Sequence, residues 1–116
     1  MSTHLDIGRF GEQIAAEWLL KQGYDLLSRN WKYRRKEIDI IACKNGILHF
    51  IEVKTRRADF FGLPEEQVNR RKIKHLQEAA AAYQEEHPQW RRMQFDILAI
   101  NLNIKGNSIF LLEDIS

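Results

Sequence analysis

Asn45-Gly46 constrains this chain more than any other feature. It separates two runs rich in Ile and Val, residues 38–43 and 47–54. An Asn-Gly pair between such runs is the strongest short-range signal of a β-hairpin, because both turn residues must take a positive φ. A two-residue loop sets Lys44 against Ile47, and counting outward sets Asp39 against Glu52. A four-residue loop gives the same pairing. Directly opposed strand residues hold their Cβ atoms about 4.5–5.5 Å apart, and like charges there are destabilising. A bound divalent cation is the simplest compensation for two carboxylates so placed. An ion-pair cluster of Asp39, Glu52 and Lys54 on a solvated face is the alternative.

Side chains alternate across a strand. One face of the hairpin collects Ile38, Ile40, Ala42, His49, Ile51 and Val53, which reads as core. The other collects Ile41, Cys43, Leu48 and Phe50 near the turn, then Glu37, Asp39, Glu52 and Lys54 at the open end. A strand buried on both faces continues apolar to its end, so the change of character marks the expected chemistry. Hard cations such as Mg²⁺ take one or two protein carboxylates and leave water and phosphate oxygens to complete the octahedron. Asp39 and Glu52 are the expected carboxylates. Lys54 stands where it can orient water or offset charge at a reacting phosphate.

At 116 residues the chain supports one domain, residues 1–116. With 44% hydrophobic and 29% charged residues it has the composition of a globular protein rather than a disordered one. It contains no apolar run of the ~18–20 residues that span a bilayer. Residues 1–6 lack the basic flank and apolar core of a secretory signal. The lone Cys43 has no internal partner and suits a reducing compartment. The expectation is a cytoplasmic protein without membrane association. Four dispersed histidines and a single cysteine argue against a structural zinc motif. No Gly-rich phosphate loop or serine elbow is present.

Net charge is only +2, but 12 of the 18 Lys and Arg flank the acidic strand ends. Arg29, Lys32, Arg34, Arg35 and Lys36 precede the hairpin, and Lys54, Arg56, Arg57, Arg70, Arg71, Lys72 and Lys74 follow it. Either cluster alone reads as solvated surface. Together around the acids they suit a polyanion whose backbone is held while one phosphate reaches a metal.

Periodicity predicts a helix over 6–22, with Phe10, Ile14 and Trp18 at i+4 steps, Ala15 and Leu19 beside them, and Gly23 as its C-terminal cap. It does not decide whether Glu12 or Glu17 points inward. A first strand is expected over 24–32. A second helix over 65–86 begins after Pro64, with Glu65 and Glu66 at its positive end. Its stripe is Ile73, Leu76, Ala80 and Tyr83, with Val68, Ala79 and Lys72 at the margin. Residues 93–102 alternate as a fourth strand, and 108–112 add a fifth.

Ile38-Asp39 with Glu52-Val53-Lys54 resembles the PD-(D/E)XK nuclease signature. Gly11-Glu12, Gly23-Tyr24, Arg29-Asn30, residues 37–42, residues 52–56 and Phe95-Asp96 together resemble the YraN-like family of uncharacterised bacterial proteins. The resemblance covers residues 8–100. It implies an α/β fold with a restriction-endonuclease-like core similar to Holliday-junction resolvases. Such a core is a mixed central sheet of four or five strands flanked by helices, in the order α-β-β-β-α-β. Carried over residue by residue, Asp39 and Glu52 would hold Mg²⁺ or Mn²⁺ and Lys54 would assist the attacking water. Glu12 would add an outer or second-metal ligand, the Val53 carbonyl a further one, and Lys72 would stand near the scissile phosphate. Two positions depart from the pattern: Lys36 stands where the family has glycine, and Ile38 replaces the signature proline.

The expected function is a metal-dependent nuclease acting on DNA, double-stranded or branched. The contact residues would be Arg34, Arg35, Lys36, Arg56, Arg57 and Arg71. The alternative is a nucleic-acid-binding module that keeps the scaffold without the chemistry. Resolvase-like proteins often act as dimers, so the resemblance brings a homodimer with it.

Overall fold

A computed structural model describes residues 4–57 and 70–115. Seven elements follow in order: α1 (His4–Lys21), β1 (Asp25–Tyr33), β2 (Lys36–Lys44), β3 (Ile47–Arg57), α2 (Arg70–Glu86), β4 (Met93–Leu102) and β5 (Ser108–Leu112). The strands form one five-stranded sheet in the order β1-β2-β3-β4-β5. β3 and β4 are parallel and the other pairs antiparallel. A parallel pair needs a long crossover, and α2 supplies it. The result is the expected mixed sheet flanked by helices.

The hairpin has the expected register: Lys44 pairs with Ile47, Cys43 with Leu48 and Ile40 with Ile51. Asn45 (φ 53°) and Gly46 (φ 77°) are both left-handed, as the tightest hairpin turn requires. α1 ends as its Gly23 suggests. Gly23 (φ 91°) donates its N–H to the Leu20 carbonyl at 3.1 Å, and the Tyr24 N–H reaches the Leu19 carbonyl at 3.0 Å. These two bonds satisfy otherwise orphaned carbonyls, while Tyr24 and Leu19 meet in the core.

Each face of the sheet carries one helix and one apolar cluster. Under α1 lie Ala15, Ala16 and Leu19 with Ile40, Ala42, Ile51, Leu98 and Ile100. Under α2 lie Leu76, Ala79, Ala80 and Tyr83 with Ile38, Ile41, Leu48, Phe50 and Phe95. The Ala-Ala face of α1 brings it close to the sheet, and Gly11 brings it closer still. A Cβ on Gly11 would lie 1.7 Å from Thr55 Oγ1.

Three expectations need correction. Phe10 is not in the α1 core stripe; it is exposed, and the buried positions are Ala15, Ala16 and Leu19. Ile14 and Trp18 pack at the margin of that cluster, and only at Gly11 does the close approach exclude a side chain. Ile38 does not share a face with Ile40; it packs with Ile41 under α2. The alternation slips between them, at Asp39. Across β1 the matching position is Asn30, with φ 53°, between the pairs Arg29–Ile40 and Trp31–Ile38. Ile73 is half-buried, and Ala79 is fully buried in the α2 stripe. The expected helix start after Pro64, with Glu65, Glu66 and Val68, lies outside the described residues, as does the Arg57 side chain.

Candidate functional site

β2 and β3 pair only as far as Ile40–Ile51. The next step would set Asp39 against Glu52, and there the backbone ladder gives way to a side chain. Asp39 Oδ2 accepts the Val53 N–H at 2.8 Å. That hydrogen bond replaces one the strand would otherwise make, and it fixes the Asp39 carboxylate at the open end of the hairpin. Asp39 and Glu52 line one cavity of about 250 Å³ together with Arg35, Lys36, Glu37, Lys72, His75 and Leu76.

Glu52 is buried, at 4% exposure. Its Oε1 lies 2.9 Å from Lys72 Nζ and 3.4 Å from Lys54 Nζ. A buried carboxylate is costly unless charges and hydrogen bonds compensate it, and two ammonium groups do so here. Lys54 arrives by strand alternation from Glu52. Lys72 arrives from the first turn of α2. Burial pulls the Lys72 pKa down, but its hydrogen bond to Glu52 and the charges of Glu52 and Asp39 outweigh this, so the net shift is upward.

Asp39 stands differently. Burial first, and then the charge of Glu52, push its carboxyl up to about 7, against the opposing pull of the Val53 N–H and Lys72. A second group of acids meets at this carboxylate. Glu12, Glu37 and Asp39 each place an oxygen within 4.8 Å of the others. Glu12 is half-buried whereas Glu17 is exposed, so the structure settles which α1 acid points inward. The Glu12 pKa is raised by burial and by Glu37. This set can take a cation: it offers all-oxygen donors and excess negative charge.

The basic residues separate into two groups. Arg35 and Lys36 line the cavity, and Lys36 pairs with Glu78 of α2. Arg71 is exposed at the start of α2. Arg34 lies at the β1–β2 turn with its guanidinium 5.3 Å from the Tyr33 ring centroid. Arg56 donates its Nε–H to Asn101 Oδ1 at 2.6 Å. Glu37 and His75 also line the cavity, although sequence reasoning gave neither a role. Glu37 was legible as the third acid at the hairpin's open end. His75 had no signal, since only the helix crossing brings it there.

The model of the uncharacterised protein family UPF0102 matches residues 11–100. The chain belongs to the UPF0102 family. A UPF0102 protein of Flavobacterium psychrophilum is 40% identical over 114 residues, covering 98% of this chain and 96% of the relative. Others in Syntrophomonas wolfei and Chlorobaculum parvum are 42% and 46% identical over 96 residues each. They cover 82% and 81% of this chain, and 84% and 74% of the relatives. The UPF0102 match spans α1 to β4 and so includes every element that contributes to the acidic cavity. No helix among the described residues is long and apolar enough to cross a membrane.

Proposed function

We propose that this UPF0102 protein is a metal-dependent nuclease of the PD-(D/E)XK type, hydrolysing phosphodiester bonds in double-stranded or branched DNA. The observation that carries the reading is the shared cavity of Asp39 and Glu52, with the Lys54 and Lys72 ammonium groups at the inner acid. Asp39, Glu52 and Glu12 would hold Mg²⁺ or Mn²⁺, with Glu37 beside them and the Val53 carbonyl as a further oxygen. When bound, such an ion supplies Lewis acidity toward a phosphate oxygen and acidifies water.

The chain's own groups do the rest. The Val53 N–H keeps Asp39 turned into the cavity. Lys54 and Lys72 hold Glu52 and set positive charge beside the position of a bound phosphate. Arg34, Arg35, Lys36, Arg56, Arg57 and Arg71 would track the DNA backbone. Action on chromosomal DNA calls for a cytoplasmic location, and a branched substrate suits a homodimer with two such cavities.

A second reading has one observation in its favour. Glu52 Oε1 has two ammonium partners, as an ion-pair cluster in a plain nucleic-acid-binding module would. Both readings can be separated with labelled linear, nicked and four-way-junction DNA in Mg²⁺ or Mn²⁺. Cleavage lost in Asp39→Asn and Glu52→Gln, with binding retained, supports the nuclease. Binding by all three proteins with no Asp39-dependent product on any substrate supports the module.

A further inference from the structure

His49 and Asp96 are charged or polar residues buried in the other face of the sheet, with exposures of 4% and 0%. The parallel register of β3 and β4 brings them together, since Ile51 pairs with Asp96 and His49 with Gln94. His49 Nδ1 lies 2.6 Å from Asp96 Oδ2. Asp96 Oδ1 accepts the Gln94 side-chain amide at 2.9 Å and the Asp114 N–H at 3.0 Å. An ionised carboxylate only accepts, so the proton of a neutral His49 ring resides on Nδ1 and leaves Nε2 with a lone pair.

His49 lines a cavity of about 170 Å³ at the turn end of the hairpin, with Tyr24, Lys44, Gln94 and Glu113. One donor atom from each of His49, Asp96 and Glu113 lies within 4.8 Å of the other two. Glu113 is exposed, which makes its side the entrance. The field here is negative: burial raises the Tyr24 phenol pKa, and the charges of Glu113 and Asp96 raise it further. Lys44 opposes this, with its ammonium 5.0 Å from the Tyr24 ring centroid.

We propose that His49 Nε2 and a Glu113 carboxylate oxygen are the protein donors of a second divalent-cation site, with Asp96 holding the His49 ring from Nδ1; the site is separate from the acidic cavity and suited to a zinc-class ion. The donor set decides the class. A mixed imidazole and carboxylate group suits Zn²⁺ and Co²⁺, whereas the all-oxygen donors around Asp39 suit Mg²⁺ or Mn²⁺. A carboxylate on the far nitrogen of a ligating histidine orients the ring and raises its basicity, and Asp96 is so placed. Asp96 also holds the Asp114 amide, and Ile115 N–H bonds the Phe95 carbonyl at 2.8 Å. An ion bridging Glu113 to His49 therefore staples the C-terminal segment onto β3 and β4. Nothing in this assignment depends on nuclease activity.

The test uses the full chain carrying Asp39→Asn and Glu52→Gln, stripped with a chelator, so that the acidic cavity contributes no signal. Co²⁺ is titrated and read by its visible d–d absorption. Zn²⁺ is then followed by displacement of Co²⁺ and by the rise in thermal midpoint. Saturable binding is expected, unaffected by millimolar Mg²⁺. Glu113→Gln, a change at an exposed residue, should weaken it roughly tenfold or more. His49→Gln should abolish it, and Lys44→Gln should tighten it by removing a nearby positive charge. Absence of saturable Co²⁺ binding, or binding unchanged by Glu113→Gln in a folded protein, overturns the proposal.

Discussion

Asp39 and Glu52 are both carboxylates at the same strand ends, yet their surroundings treat them oppositely. Glu52 is compensated by two lysines, while Asp39 is left with a raised pKa. This difference gives a signed pH dependence. The folded-state value near 7 exceeds the ordinary 3.8, so the stability linked to protonated Asp39 is fully present below the ordinary value. It is lost as pH rises through about 7. Asp39→Asn keeps an acceptor for the Val53 N–H and removes the charge. Without metal it should melt higher than the native protein, by roughly 4–8 °C for each kcal/mol recovered. That advantage should grow with rising pH, level off above neutrality, and come with loss of any Mg²⁺-dependent shift. Melting curves in chelator at acid, neutral and alkaline pH check this. Lys72→Met acts in the other direction, because it leaves the buried Glu52 with Lys54 at the longer distance. A loss of about 1–3 kcal/mol is expected from chemical denaturation.

At the scale of elements, the site depends on two local irregularities. One is the slip in alternation at Asp39, which moves Ile38 to the α2 face and frees a carboxylate to take the place of a ladder bond. The other is the contact of Gly11 with Thr55, which lets α1 bring Glu12 to the hairpin end. Gly11→Ala gains helix propensity of up to about 1 kcal/mol. Against that, the new Cβ overlaps Thr55 Oγ1 and lies 2.7 Å from Thr55 Cβ. Overpacking of this kind costs about 1–3 kcal/mol, so the clash wins and the denaturation midpoint should fall. Thr55→Ala should rescue only in part, because it leaves the Cβ in place. If Glu12 is a metal ligand as proposed, Mn²⁺ affinity should fall along with stability, since Glu12 is the next residue. Titration of Mn²⁺ into the variant measures that second effect.

Across the whole molecule, the two faces of the sheet divide the titratable groups. The acidic cavity opens on the α2 side with Arg35 and Lys36 in its lining, and the His49–Asp96 pair lies on the α1 side near the turn. On the proposed function, a basic rim around an acidic centre should make DNA affinity steeply dependent on salt. If Arg35 touches one phosphate, Arg35→Ala should lower the slope of log affinity against log salt by about 0.9. On the same proposal, the cleavage rate at saturating DNA should be little changed. Binding isotherms at several salt concentrations, with single-turnover rates alongside, separate the two effects.

The hairpin and its register were legible in Asn45-Gly46, because a two-residue turn leaves only one way to pair its flanks. The same local rule predicted that Lys54 would meet Glu52. The order of elements was legible too, since each carries its own periodicity and its own stop signal. What the sequence could not supply was any placement that depends on one element packing on another. The i+4 spacing of Phe10, Ile14 and Trp18 looked like a core stripe. Ile14 and Trp18 do pack against the core with Ala15 and Leu19, but Phe10 is exposed, and at that end the helix meets the sheet through Gly11. Glu12 and Glu17 were equivalent until that packing chose Glu12. His49 and Asp96 read as isolated polar residues in apolar strands until the parallel pairing of β3 with β4 brought them to 2.6 Å. Local periodicity is set by the backbone's own geometry, whereas these contacts exist only once α1 has packed on the sheet and the α2 crossover has set β4 against β3.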